Sequence, residues 1–380
     1  MTGTLTQETA SKVGGLTLWG PDCGRPTALF FPRKELVDSS TIDIVLWFHG
    51  YYVSGYREVF ADFATADPDK NPDTRLRQSI LDSGRDLVLV APFLGAVPYG
   101  PGDAEKKAAV TDALKAKVDL KAQLHAAGAS KYGKVEADLG SGKAGETYLT
   151  GVLEAIGDYR AALKAAAAAA TTATATATAT GSGSGSGSGS VPPPKLPPPV
   201  PPKLGKLYLA CHSGGGTGML DVLGGLGSAK DKLKECWGFD CIYSADGYLS
   251  AARSNPKVKF YLYFGQGSSF TATYESFAQK YGIGKKAPAS GLDNLNIAPA
   301  TTSKWPGVED DSRAFAKTAD IPPQPAKVQN FETFRGQLDG LDADKSAFDK
   351  FLKKNTLALR THYAVPATLM SPRIKQSVPR

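Results

Sequence analysis

Between Lys206 and Gly216 the chain reads Lys-Leu-Tyr-Leu-Ala-Cys-His-Ser-Gly-Gly-Gly, an apolar run that stops abruptly at a serine. A helix-compatible segment, Thr217 to Glu235, follows directly. Strand, tight turn with a serine at the apex, then helix is a geometry that lifts a hydroxyl clear of a sheet and makes it a nucleophile. Large side chains would collide across so sharp a turn, so its flanks must be small. Here the pattern small-x-Ser-x-small is Cys211-His212-Ser213-Gly214-Gly215, with cysteine at a position more often held by glycine.

The rest of the chain repeats the alternation of strand and helix. Leu16–Trp19 and Ala28–Phe31 read as short strands around a Gly-Pro-Asp-Cys-Gly turn that contains Cys23. Ile42–Phe48 is a continuous apolar run ending in His49-Gly50, and Asp86–Pro92 is a second one stopped by proline. Runs without polar alternation suit strands buried on both faces of a parallel sheet. From Gly145 to Leu163, the positions Leu149, Val152, Leu153 and Ile156 form the stripe of an amphipathic helix. Gly238–Ser244 and Val258–Phe264 read as the strands after the serine turn. The expected class is α/β, a mostly parallel sheet flanked by helices.

One stretch is different in kind. Polyalanine, a Thr-Ala repeat, a Gly-Ser repeat and a proline tract follow one another between Ala165 and Gly205. Gly-Ser runs are flexible coils and proline runs semi-rigid spacers, so 165–205 reads as a disordered low-complexity linker. Neither flank has enough elements to close a sheet alone. Residues 1–164 and 206–380 are therefore read as two parts of one domain. Loop-closure entropy grows slowly with length, so such an insertion is mild. The charged stretch Asp103 to Leu139 reads as a second insertion, and the turn-rich stretch Ala287 to Asp344 as a lid or a surface excursion. The proline tract carries chance SH3-ligand spacings and is read as a spacer, not as a protein-partner site.

Composition narrows the function classes. A chain of 380 residues with 42% hydrophobic and 21% charged content has room for a sizeable core. The formal charge of +7 is scattered among lysines with acidic neighbours, which argues against a nucleic-acid partner. The apolar runs are too short to span a membrane. The polar start Met1–Lys12 and four cysteines without zinc spacing lead to the expectation of a cytoplasmic protein.

A serine hydroxyl needs a base to take its proton, and the base needs an acid to hold its tautomer. Elimination among the four histidines singles out His362. His49 belongs to the loop after its strand, His212 adjoins the serine, and His125 lies on a polar helical segment. For the acid, Asp246 follows the run Phe239–Ser244, where sheet active sites form. An ordinary turn aspartate is the competing reading there, and Asp293 is the second candidate. An oxyanion site needs backbone donors, for which Gly214 and Tyr51 are the candidates. The glycine-rich turn is a poor phosphate cradle, since Met219 or Asp221 stands where the last glycine of G-x-G-x-x-G would fall.

With the His49-Gly50 loop, the elbow at 211–215 and the order Ser213, Asp246, His362, the chain resembles the α/β-hydrolases. The resemblance covers most of the chain outside 165–205. It implies a serine esterase, lipase or peptidase-type hydrolase, with a small ester-type substrate and neither metal nor organic cofactor. Most members place the acid one strand later than Asp246, whereas some lipase-like members place it here. The competing expectation is a catalytically inactive protein of the same fold used for binding or scaffolding.

Overall fold

A computed structural model describes residues 5–7, 14–20, 27–50, 76–94, 139–179, 198–242, 245–264, 292–299 and 356–379. The oxyanion candidate Tyr51, the polar segment with His125 and the turn around Cys23 lie outside these residues. Of the two presumed insertions at 103–139 and 287–344, only Leu139 and 292–299 lie inside them.

The described strands form a nine-stranded sheet in the order β1-β2-β3-β5-β4-β6-β7-β8-β9. They are β1 (Thr6–Gln7), β2 (Leu16–Gly20), β3 (Thr27–Phe31), β4 (Thr41–Phe48) and β5 (Leu87–Pro92), then β6 (Lys203–His212), β7 (Leu233–Phe239), β8 (Lys259–Phe264) and β9 (Leu295–Pro299). β4 through β9 pair in parallel, while the β1–β2, β2–β3 and β3–β5 pairs are antiparallel. β6 lies between β4 and β7, so strands from both sides of the low-complexity stretch share one sheet.

The helices are α1 (Leu76–Ser83), α2 (Ala144–Ala179), α3 (Gly215–Gly225), α4 (Ala245–Ser254) and α5 (Thr356–Ser377). Period-two alternation along the central strands sends successive side chains into two separate cores. Ile44, Leu46, Phe48, Leu207, Leu209 and Cys211 pack with residues of α2, α3 and α4. Val45, Trp47, Tyr208, Ala210, Trp237 and Phe239 pack with residues of α1 and α5 on the opposite face. Both faces are covered, which explains why β4 and β5 are apolar at nearly every position.

Three boundaries differ from the sequence reading. First, the helix expected over 145–163 continues to Ala179, so the first part of the presumed linker is helical. Alanine has the highest helix propensity, and an already nucleated helix extends through it at little cost. The expected linker also extends too far at its other end, because Lys203, Leu204 and Gly205 belong to β6. Second, the helix after the serine stops at Gly225, not at Glu235. Gly227 supplies a left-handed residue (φ 51°), and a 3₁₀ turn over Gly227–Lys232 leads into β7. Third, β7 is Leu233–Phe239, not Gly238–Ser244. Its polar amino end disguised it. Glu235 is accommodated because its Oε2 accepts from Trp237 Nε1 (2.8 Å) and Ser377 Oγ (2.5 Å). Arg373 Nε lies 3.7 Å from the same oxygen.

The contacts of α5 set its direction. Near its carboxyl end, Ser377 reaches Glu235 at the start of β7. Arg373, one turn earlier, stacks 3.9 Å over the Tyr261 ring. The helix therefore climbs backwards along the chain towards the carboxyl edge of the sheet. No helix among the described residues is long and apolar enough to cross a membrane, although α2 spans 36 residues.

Candidate active site

The strand order reverses at the β4–β6 pair, since β5 lies on one side of β4 and β6 on the other. A crevice forms beyond the carboxyl ends of the strands at such a point. Gly50, Ser213 and Asp240 follow β4, β6 and β7 there.

Ser213 stands between β6 and α3 with φ 53°, a left-handed conformation that a residue with a side chain rarely adopts. Two hydrogen bonds fix it. Its N–H donates to Phe239 O (3.2 Å), and its carbonyl accepts from Gly216 N–H (3.1 Å). The turn is closely packed against the end of β4 and the two residues after it. A Cβ on Gly50 would lie 2.9 Å from Ser213 Cβ and 3.4 Å from its Oγ. A Cβ on Gly215 would lie 2.7 Å from Phe48 C and 2.8 Å from His49 O. Glycine at 50 and 215 is thus a requirement of close backbone approach.

Cysteine at the first small position has a structural explanation. Cys211 is fully buried, with its Sγ 3.7 Å from Tyr248 Oη, which in turn lies 3.1 Å from Cys241 Sγ. A Cβ on Gly216 would come within 2.7 Å of the same Tyr248 oxygen, so α3 seats directly on this cluster. Burial pushes the Cys241 thiol and the Tyr248 phenol well above their ordinary pKa values. The Cys241 thiol therefore has little of the thiolate character that nucleophilic chemistry needs.

His49 is a clamp between strand ends. Its Nε2 accepts from Leu94 N–H (2.8 Å), so the proton of the neutral ring resides on Nδ1, which donates to Gly50 O (2.6 Å). The ring also stacks on Phe93 at 5.6 Å. The loop after β4 is thereby tied to the end of β5. Sequence reasoning placed His49 in this loop without finding its partner, because Phe93-Leu94 is remote in the chain.

Gly214 initiates α3, where the first N–H groups of a helix have no intrahelical acceptor and face the positive end of the dipole. Its proposed companion donor, Tyr51, is outside the described residues. His212 is buried as the last residue of β6, beside Ser213.

His362 lies on α5, in its amino-terminal half, and only its backbone belongs to the described residues. From Arg373 back to His362 an α-helix advances about 16 Å at ~1.5 Å per residue. Between the two positions the helix contains Pro366 and Pro372.

The acid candidates separate clearly. Asp246 does not end a strand; it stands exposed in the first turn of α4. Asp293 immediately precedes Asn294 and β9, at the amino edge, across the sheet from Ser213. The carboxylate that directly follows β7 is Asp240, fully buried and missed in the sequence because the strand was read as running through it. Among the described residues no group of three His, Cys, Asp or Glu is arranged to hold a metal ion.

Searched against protein-family models and curated proteins, the chain matches none.

Proposed function

We propose that the protein is a serine hydrolase of α/β-hydrolase type, cleaving an ester or amide bond through an acyl-enzyme on Ser213. The observation that carries this reading is the left-handed Ser213 between a central parallel strand and a helix. The strained turn holds the serine over the crevice at the strand ends, where a substrate carbonyl can approach. The reversed strand β3 beside a parallel sheet, with α1 and α5 on one face and α2, α3 and α4 on the other, accords with the same reading.

In this mechanism Ser213 Oγ attacks the carbonyl carbon as its proton passes to the His362 imidazole. Backbone N–H groups at Gly214 and Tyr51 stabilise the developing oxyanion. The imidazolium then protonates the leaving alcohol or amine. Water repeats the sequence on the acyl-enzyme and regenerates Ser213. The chemistry calls for no cofactor.

A fluorophosphonate probe tests the reading by phosphonylating an activated serine. Wild-type protein is expected to label on Ser213, and Ser213→Ala to give no label while unfolding at a similar temperature. A well-folded wild type that stays unlabelled would favour a non-catalytic binding protein on the same fold.

A further inference from the structure

We infer that Asp240 is the carboxylate that orients and charges the catalytic base of this site. The inference rests on the hydrolase reading above and assigns its third group. Among the described residues, only Ser213 (φ 53°) and Asp240 (φ 48°) are non-glycine residues in the left-handed region. Such conformations are costly for residues with a side chain and cluster at functional sites. These two stand side by side. His212 and Phe239 are register partners in adjacent parallel strands, and Ser213 and Asp240 are the next residue on each. Adjacent strands lie about 4.8 Å apart, so the serine and the aspartate begin from neighbouring points of one edge.

Both turns are held by the same kind of bond. Ser213 N–H donates to the carbonyl of Phe239, on the neighbouring strand, and Asp240 N–H donates to Tyr263 O (2.7 Å), one strand further on. The main chain of β7 and β8 therefore fixes the Asp240 backbone, and the residue is fully buried. An acidic residue whose backbone is fixed in this way at the strand end is placed to orient a neighbouring imidazole. Helix α5, descending from this edge onto β7 and β8, carries His362. Asp246, by contrast, is exposed in the first turn of α4.

Asp240 acts through the base, so its test needs a readout that a purely structural residue would not move. Asp240→Asn and Asp240→Gly both tolerate a left-handed backbone and should keep the fold. The rate of Ser213 labelling by a fluorophosphonate is followed from pH 5 to pH 10, with Asp246→Asn beside them. Loss of such a carboxylate lowers catalysis on the order of 10⁴-fold. A fall of at least 10²-fold in labelling rate is expected for both Asp240 variants. Their acidic limb should move to lower pH, because removing a neighbouring negative charge lowers the pKa of the base. Asp246→Asn should label within a few-fold of wild type.

Labelling of the Asp240 variants at the wild-type rate would overturn the assignment. So would a slower rate with an unmoved acidic limb, which would mark Asp240 as a turn residue only. An unlabelled wild type would instead refute the hydrolase reading and take this inference with it.

Discussion

Alanine in place of Gly215 tests how tightly the serine turn is held against the end of β4. The new methyl group would sit 2.7 Å from Phe48 C and 2.8 Å from His49 O, with the Phe48 carbonyl oxygen nearer still. All three are main-chain atoms at the end of β4 and the residue just after it, which cannot rotate away as a side-chain tip would. Restoring ordinary contact requires the start of α3 to move by the better part of an ångström. Overpacking of this kind costs about 1–3 kcal/mol. At roughly 2–4 °C per kcal/mol for a large domain, the midpoint should fall by about 2–12 °C. The displacement acts directly on Ser213, and a misplacement of ~1 Å can cost about 10²-fold in rate. Gly224→Ala is the internal control. It lies on the same helix, is exposed, and its Cβ would meet only Gly140 O at 3.6 Å. There the substitution should stabilise by about 0.5–1 kcal/mol through helix propensity. Thermal unfolding by circular dichroism and the fluorophosphonate labelling rate read the two effects. Equal midpoints for the two variants would refute the packing argument, whatever happened to labelling.

The C-terminal helix and the buried phenols give two further tests. Arg373→Met removes the cation beside Glu235 and should destabilise by about 3–5 kcal/mol, as breaking a buried pair does. Adding Glu235→Gln should recover part of that loss in urea unfolding, and strict additivity of the two changes would deny the coupling. Burial pushes the Tyr263 phenol up from 10.0 to about 12, with Tyr208 and Tyr248 raised in the same direction. A phenol whose folded pKa exceeds its unfolded value keeps its proton longer in the native state. Its contribution is therefore complete below pH 10 and is lost as pH rises towards 12. Urea unfolding at pH 9 and pH 11 should show the stability falling by up to about 1 kcal/mol per pH unit for each such tyrosine. Full tyrosinate absorbance at pH 11 in native protein would contradict the burial.

What the sequence revealed and what it concealed follow from the same physics. β4 and β5 were legible because strands covered on both faces must be apolar nearly throughout, as Ile42–Phe48 and Leu87–Pro92 are. The serine turn was legible because small residues are demanded wherever backbones touch, as at Gly50 and Gly215. β7 was displaced because Lys234 faces solvent and Glu235 finds its partners on α5, a helix far away in the chain. The low-complexity stretch misled in the opposite direction. Its composition suggested disorder, yet its alanines are the best continuation a helix can have.

The candidate site inherited the error in β7. A strand read as continuing to Ser244 turns Asp240 into an ordinary mid-strand residue and presents Asp246 as the first carboxylate beyond the edge. Correcting the strand end by a few residues exchanges the two. A signal was nonetheless present. Trp237-Gly-Phe239 is flanked by an aspartate, a residue disfavoured within strands and tolerant of left-handed backbone. Aspartate directly after an aromatic run therefore marks a strand end. Applied at Phe48-His49-Gly50 and His212-Ser213-Gly214, the same criterion, a turn-tolerant residue after an apolar run, finds the other two strand ends of the site. The three ends then converge because β4, β6 and β7 are consecutive in the sheet. The candidate site residues are thus concentrated where the chain leaves its parallel strands, and locating those exits to the residue matters more than ranking carboxylates by proximity in sequence.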